Sequence, residues 1–236
     1  DEVKQNYDAN KTRYAFSNPI FTDGLVLYYD AGNVVSYQGS GTIVADLSGN
    51  KNDGVLTNGP SFTSVGSSSY FTLDGTNDFI ASTVNSALFT TNATMVIWLK
   101  NDEATPATTT YTGFIGFGSG GENDHYPWVN GSAYLATFRN GRIGPITLSA
   151  NVTRTNIHMV SVTSSSSEWK LYQNAVLQYK TSSSGSVTMN NTRIGYSLAQ
   201  TYNYKGRVYS FMLYNRVLSP SELVHIYQSN RGRYGV

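Results

Sequence analysis

Several short stretches of this chain alternate apolar and polar residues with a period of two, and turn residues such as Gly, Asn, Asp and Ser separate them. That period sends successive side chains to opposite faces of an extended chain, one face toward a core and the other toward water. It predicts strands at Gly24 to Asp30, Ser69 to Leu73, Ala93 to Lys100, Tyr111 to Phe117 and Ala133 to Phe138. Further strands follow at Ile157 to Thr163, Trp169 to Gln173, Ala175 to Thr181, Thr192 to Tyr196 and Gly206 to Tyr214. In the last of these Val208, Ser210, Met212 and Tyr214 oppose Tyr209, Phe211 and Leu213, so both faces carry bulk and the strand is expected to be central. The dipeptide Gln173-Asn174 reads as a tight hairpin, because Asn tolerates positive φ. Many short strands at regular spacing with turn signals between them indicate an all-β sandwich or jelly roll.

One helix is expected, from Pro220 to about Asn230. Ser219 is placed as its N-cap, Pro220 takes the first position, where no donor is needed, and Glu222 completes a Ser-x-x-Glu capping box. Leu223, Ile226 and Tyr227 form its apolar stripe, and Gly232 is the expected stop. The same ending occurs twice. Residues 1 to 16, DEVKQNYDANKTRYAF, align without a gap on 221 to 236, SELVHIYQSNRGRYGV, matching Glu2 to Glu222, Tyr7 to Tyr227, Asn10 to Asn230 and Arg13-Tyr14 to Arg233-Tyr234. A fixed-offset match at the two ends with nothing similar between them is the mark of a repeat seen through a window one unit wide. Residues 1 to 16 therefore read as the helical tail of a preceding repeat or a docking arm, and 17 to 236 as the repeating domain. Two unrelated amphipathic helices that happen to look alike are the bland alternative.

Composition narrows the partners. Only 13% of residues are charged and the formal net charge is +1. The basic residues are scattered singly, which argues against nucleic acid or an anionic membrane surface, since both demand a clustered basic face. No apolar run approaches the ~20 residues of a membrane-spanning helix, so membrane insertion is not expected. Cysteine is absent, and a sandwich of this length can stand on its hydrophobic core without disulfides.

The segments GLVLYYDAGN (24 to 33), SYQGSGTIVADLSGNKNDGVLTNGPSF (36 to 62), FTLDGTNDFI (71 to 80), LYQNAVL (171 to 177), TRIG (192 to 195) and FMLYNRVLSPSELVHIY (211 to 227) resemble the laminin-G-like branch of the concanavalin A-like lectin/glucanase superfamily. More narrowly, they resemble its members in bacteriophage virion and bacterial surface proteins. The resemblance implies an all-β, two-sheet antiparallel jelly-roll sandwich, concanavalin A-like, with a short C-terminal helix against the outside. It decides function much less, because one fold hosts lectins, hydrolases and interaction modules.

Catalysis is not expected. Glucanases of this superfamily carry an E-x-D-x-x-E run, because glycoside hydrolysis needs an acid and a nucleophile about 5 Å apart on one face. No such run is present, and the only glutamates are Glu2, Glu103, Glu122, Glu168 and Glu222. His158 and His225 read as structural, and His125 lies in a plausible rim loop without an evident partner.

Two segments could offer oxygen ligands to Ca²⁺. Asp46, Ser48, Asn50, Asn52 and Asp53 present oxygens at close spacing, and Asp74 and Asp78 add a second pair, so Asp46, Asn50, Asp74 and Asp78 are the candidate calcium ligands. The competing reading is that both segments are turns in which Asp and Asn bond their own backbone. For ligand recognition the best stretch runs from Gly118 to Trp128. There Glu122, Asn123 and Asp124 would hydrogen-bond sugar hydroxyls while Tyr126 and Trp128 stack on an apolar sugar face. Trp128 could equally enter a strand and pack in a core. Tyr202 and Tyr204, around Asn203, are a second aromatic set expected at an exposed edge, and Trp98 and Trp169 are expected in the core.

The expected function is a non-catalytic glycan-binding or adhesion module, one unit of a tandem array in an extracellular virion protein, tail fibre or capsid-associated, or in a cell-surface protein. Its partners would be a cell-surface or extracellular glycan and neighbouring copies of the domain or other virion and surface proteins, since an array multiplies a weak single-site affinity. The alternative is a purely structural module, a virion decoration or fibre segment that makes protein contacts without binding glycan.

Overall fold

The computed structural model describes residues 20–84, 92–102, 111–113, 115–116, 126–130, 133–138, 141–142, 146–147, 156–182, 192–196 and 203–236, and between 111 and 147 it describes backbone pairing. The strands are β1 (Leu25–Asp30), β2 (Ile43–Val44), β3 (Gly54–Thr57), β4 (Ser61–Thr63), β5 (Tyr70–Asp74), β6 (Phe79–Ser82), β7 (Ala93–Asn101), β8 (Tyr111–Gly113) and β9 (Ile115–Gly116). They continue with β10 (Tyr126–Asn130), β11 (Ala133–Phe138), β12 (Gly141–Arg142), β13 (Ile146–Thr147), β14 (His158–Ser164), β15 (Glu168–Gln173), β16 (Val176–Ser182), β17 (Thr192–Ile194) and β18 (Lys205–Tyr214), followed by the helix α1 (Pro220–Tyr234).

An eight-stranded antiparallel sheet runs β16-β15-β14-β7-β18-β5-β4. Its central strand β18 is long enough to pair with β7 along one edge and with two partners in succession along the other, β5 opposite Lys205–Val208 and β1 opposite Ser210–Tyr214. The second layer is built from the sheet β2-β3-β6-β17-β9, and a third ladder pairs β12-β11-β10-β8, with β13 added beside β11. β8 and β9 are one residue apart in the chain, so one ladder leads into the other.

Two cores form, one on each face of the large sheet. Between the layers Leu27, Tyr29, Phe71, Leu73, Met95, Ile97, Leu99 and Phe211 meet Val44, Leu56, Ile80 and Ile194 of the opposite sheet. On the outer face Val96, Trp98, Met159, Met212 and Tyr214 meet Leu223, Ile226 and Tyr234 of α1. Burial on both sides explains why β7, β14 and β18 are almost uninterruptedly buried. Trp98 is fully buried and stacks on Tyr227 of the helix with ring centroids 5.7 Å apart and planes 5° from parallel. Burial of this size makes α1 part of the fold, worth several times the ~1.5–3 kcal/mol of one large apolar side chain.

The helix keeps its expected start: Ser219 accepts a hydrogen bond from the Glu222 amide, and the Glu222 carboxylate accepts one from the Ser219 amide. Its end differs. Gly232 lies inside the helix, and the left-handed cap is Gly235 at φ 71°, because Arg233 and Tyr234 are held on the sheet and keep the last turn wound. The alternation in β18 also differs. An irregularity between Val208 and Ser210 puts Val208 on the same side as Phe211 and Leu213, and Tyr209 on the side of Met212 and Tyr214. The hairpin after β15 turns at Asn174 and Ala175, at φ 49° and 64°, one residue later than the sequence suggests. Asn174 fixes that register, donating its amide to the Met159 carbonyl and accepting from the Met159 amide through Oδ1.

Candidate functional site

The two sheets treat their outer faces differently. The large sheet is sealed by α1, whereas the register Ile43↔Val55↔Ala81↔Arg193↔Gly116 runs straight across β2, β3, β6, β17 and β9 on the opposite side of the molecule. In β2, β3, β6 and β17 the neighbours of this row, Val44, Leu56, Ile80 and Ile194, belong to the core, so Ile43, Val55, Ala81 and Arg193 face outward. Ile43 is 55% exposed and Val55 39%.

Arg193 is the only charged residue of β17. Its guanidinium carbon lies 4.8 Å from the Phe79 ring centroid and 5.4 Å from that of Tyr196, and the two rings tilt toward each other at 5.3 Å. This clamp has a built base. Gly195 at φ 98° passes so close to Leu73 that an added Cβ would sit 1.9 Å from its Cδ2, and any other residue would push Tyr196 away. The Gly195 carbonyl accepts the Tyr204 amide, and the Tyr204 hydroxyl donates to the Lys100 carbonyl at 2.7 Å. Tyr204 is fully buried and is a strut of the core, a correction to its expected place at an exposed edge. Tyr202 lies outside the described residues.

Of the residues expected to contact ligand, Tyr126 and Trp128 lie in β10, paired on both sides, with Trp128 opposite Leu135 and Gly113. They belong to a strand and not to a loop. Glu122, Asn123 and Asp124, and also His125, lie outside the described residues. His158 is buried, with Nδ1 2.8 Å from the Asn156 carbonyl, and His225 packs against the Phe21 ring, so both are structural.

The candidate calcium ligands fall into two turns. The Asp46 carboxylate accepts from the amides of Tyr28, Ser48 and Asn52 and from the Ser48 hydroxyl, at 2.6–3.0 Å. Asn50 and Asn52 donate their side-chain amides to the Leu25 and Val26 carbonyls, and the Tyr29 hydroxyl donates to the Asn52 carbonyl at 2.5 Å. The loop is thereby buttoned to β1, and the lone pairs of Asp46 already face protons. Asp74 accepts from the Thr76 and Asn77 amides, which hold its carboxyl below the ordinary value. Burial pushes the Asp78 carboxyl up while Oδ2 accepts the Asp74 amide. No three Asp, Glu, His or Cys among the described residues are gathered as metal ligands would be.

Arg193, Phe79 and Tyr196 were not foreseen from the sequence. Phe79 lies in β6, more than a hundred residues before Arg193 and Tyr196, and the one local signal was a lone arginine between the buried Thr192 and Ile194.

Antiparallel strands in two layers, with α1 on the outer face of the larger sheet, make a jelly-roll sandwich. The chain belongs to the concanavalin A-like lectin/glucanases superfamily, whose laminin G family model matches residues 74–224. No curated protein sequence matches it. Among solved structures it is similar to the receptor binding domain of botulinum neurotoxin C/D mosaic serotype, with TM-score 0.69 and 14% identity, covering 89% of this chain and 52% of that one. It is similar to domain 4 of a GH43 extracellular arabinanase from Geobacillus stearothermophilus, with TM-score 0.63 and 16% identity, covering 86% of this chain and 98% of that one. A sialidase of Trypanosoma rangeli gives TM-score 0.64 and 17% identity over 88% of this chain and 33% of that one. At these identities the likeness is one of fold. The chain spans about half the length of the neurotoxin domain.

Proposed function

We propose that this protein is a non-catalytic, extracellular glycan-binding module, one unit of a tandem array in a virion or cell-surface protein. The observation that carries the reading is the outer face of the second layer, which among the described residues has no covering helix and bears exposed apolar side chains and a ring-clamped arginine, while the other sheet is closed by α1. Open faces with aromatic and apolar support and a few polar groups suit sugars. Two similar structures were solved with sugars bound, domain 4 of the arabinanase with arabinotriose and a botulinum neurotoxin serotype D ligand binding domain with N-acetylneuraminic acid. Tyr126 and Trp128, together with Glu122, Asn123 and Asp124 of the segment before them, remain the proposed sugar contacts on the β10 side. The reading as non-catalytic rests on the missing E-x-D-x-x-E run. Glu222 is paired with Arg216, Glu168 with Lys170 and Asp30 with Arg233, so each serves the fold.

The array is supported by which residues recur. Glu222 pairs with Arg216, Tyr227 stacks on Trp98, Asn230 is buried against the Ile226 carbonyl, Arg233 forks onto Asp30 and Tyr234 is buried beside Tyr209. These five docking residues are the ones that Glu2, Tyr7, Asn10, Arg13 and Tyr14 reproduce, and buried Leu223 is echoed by Val3. The exception is Ile226, which is answered by Asn6. Conserving the docking contacts and little else is what a second helix made for the same kind of sheet would do, and it also favours a structural, assembly-forming role as the second reading.

A glycan-array screen of the intact protein, followed by Trp128→Ala and Tyr126→Ala on the best ligand, tests the proposal. Binding that falls at least tenfold in either variant supports it. Assembly with partner proteins and binding to no glycan would replace it with the structural role.

A further inference from the structure

We infer that Arg193 is the anion subsite of the second layer's outer face, and that the glycan bound there carries a carboxylate, as uronic and nonulosonic acid sugars do. This deepens the glycan-binding reading and rests on it.

The inference starts from a contrast among arginines. Four others stack on aromatic rings, and each also has an oxygen acceptor: Arg207 on Tyr70 with Asp102, Arg216 on Tyr214 with Glu222, Arg231 on Tyr227 with the Val236 carbonyl, and Arg233 on Tyr234 with Asp30. Arg193 has two rings and, among the described residues, neither a carboxylate nor a carbonyl. Ring contacts hold a guanidinium through its π-face and do not use its N–H donors, which project in the plane at its edge. The clamp thus fixes the orientation of a planar fork and leaves its edge for an acceptor that no described residue supplies.

Among the described residues the surroundings leave room for one. In register, Arg193 is flanked by Ala81 on one strand and Gly116 on the other, the two smallest residues, so no side chain in the row stands as tall as the guanidinium. Beyond Ala81 come Val55 and Ile43, both exposed and apolar, which would underlie the C–H face of a pyranose whose carboxylate meets the fork. A planar two-oxygen acceptor matches that fork with two parallel hydrogen bonds, which singles out a carboxylate over a hydroxyl. Pre-orientation by Phe79 and Tyr196 lowers the ordering cost of binding.

The test is binding of sialyllactose and of an oligogalacturonate by the intact protein, each beside its carboxyl-reduced form, with lactose as a neutral probe and a sulfated lactose as a non-carboxylate anion. Wild type is expected to prefer the acids at least tenfold over their reduced forms. Arg193→Gln should abolish that preference with an unchanged melting temperature, and Arg193→Lys should restore only part of it. Preference for the sulfated sugar, or acid binding unaffected in Arg193→Gln, would overturn the subsite while leaving glycan binding intact. Failure of wild type to bind any sugar, acidic or neutral, would overturn the glycan-binding reading and the subsite with it.

Discussion

Asp30 at the end of β1 and Arg233 in the last turn of α1 close a two-point fork at 2.6 and 2.7 Å across 203 positions of sequence. The carboxylate is almost wholly buried, and it also accepts from the Tyr28 hydroxyl and the Gly32 amide. Arg233 in turn donates to the Ser67 carbonyl, so a single side chain joins helix, strand and the loop before β5. Arg233→Met leaves a buried charge without its partner and is expected to cost about 3–5 kcal/mol. At this chain length that is roughly 6–20 °C in a thermal melt. The double variant Asp30→Asn/Arg233→Met should recover part of the loss, and a loss equal to that of the single variant would mean that the helix contributes through packing alone.

Acid should loosen the start of the same helix. Hydrogen bonds from Arg216 push the Glu222 carboxyl down to about 2 from its ordinary 4.5, aided by the Ser219 amide and opposed by burial. Because the folded value is the lower one, this contribution is complete above pH 4.5 and is lost as pH falls toward 2. Melting temperature measured across that window should fall more steeply in wild type than in Glu222→Gln. At neutral pH the variant should be less stable by about 1 kcal/mol, the usual worth of a cap. Parallel pH curves for the two proteins would remove Glu222 as a source of the acid response.

Lys51 is held at φ 60° between Asn50 and Asn52, whose amides clamp β1. The left-handed conformation costs an L-residue roughly 1–2 kcal/mol, and the Lys51 side chain is exposed. Lys51→Gly is therefore expected to stabilise by about 0.5–1 kcal/mol, after its own entropy cost in the unfolded chain. Chemical denaturation with an unchanged m-value would register the gain, and a loss would show that the lysine side chain has a partner.

Asp46 distinguishes a turn brace from a cation ligand. With four hydrogen bonds to its carboxylate, Asp46→Ala should lower stability by about 2–4 kcal/mol in the presence of chelator as in its absence. Millimolar Ca²⁺ should move the wild-type melting temperature by no more than about 1 °C, because a ligand stabilises only by binding the folded state. A rise of several degrees that disappears in Asp46→Ala would place the ion in this loop.

Deleting residues 1 to 16 should leave the melting temperature of the sandwich nearly unchanged, since α1 already supplies the partners of Asp30 and Trp98. A fall beyond ~8 °C would show that the segment belongs to this core.

The sequence by itself determined the features that neighbouring residues control. The Ser219-Pro220-x-Glu222 cap, the period of two and the bulk on both faces of β18 are local, and the motifs from 24 to 227 carried the superfamily resemblance. Short strands such as β2, β3 and β4 escaped notice because two to four residues hold too little pattern to stand out from a turn. Only the tertiary structure decided that the helix runs through Gly232, because Arg233 and Tyr234 are wound in place by Asp30 and Tyr209. It alone turned Tyr204 from a surface aromatic into a core strut through the Lys100 carbonyl, and it alone brought Phe79 and Tyr196 around Arg193. Contacts between residues a hundred or more positions apart exist only after the sheets have paired, and no local periodicity records them.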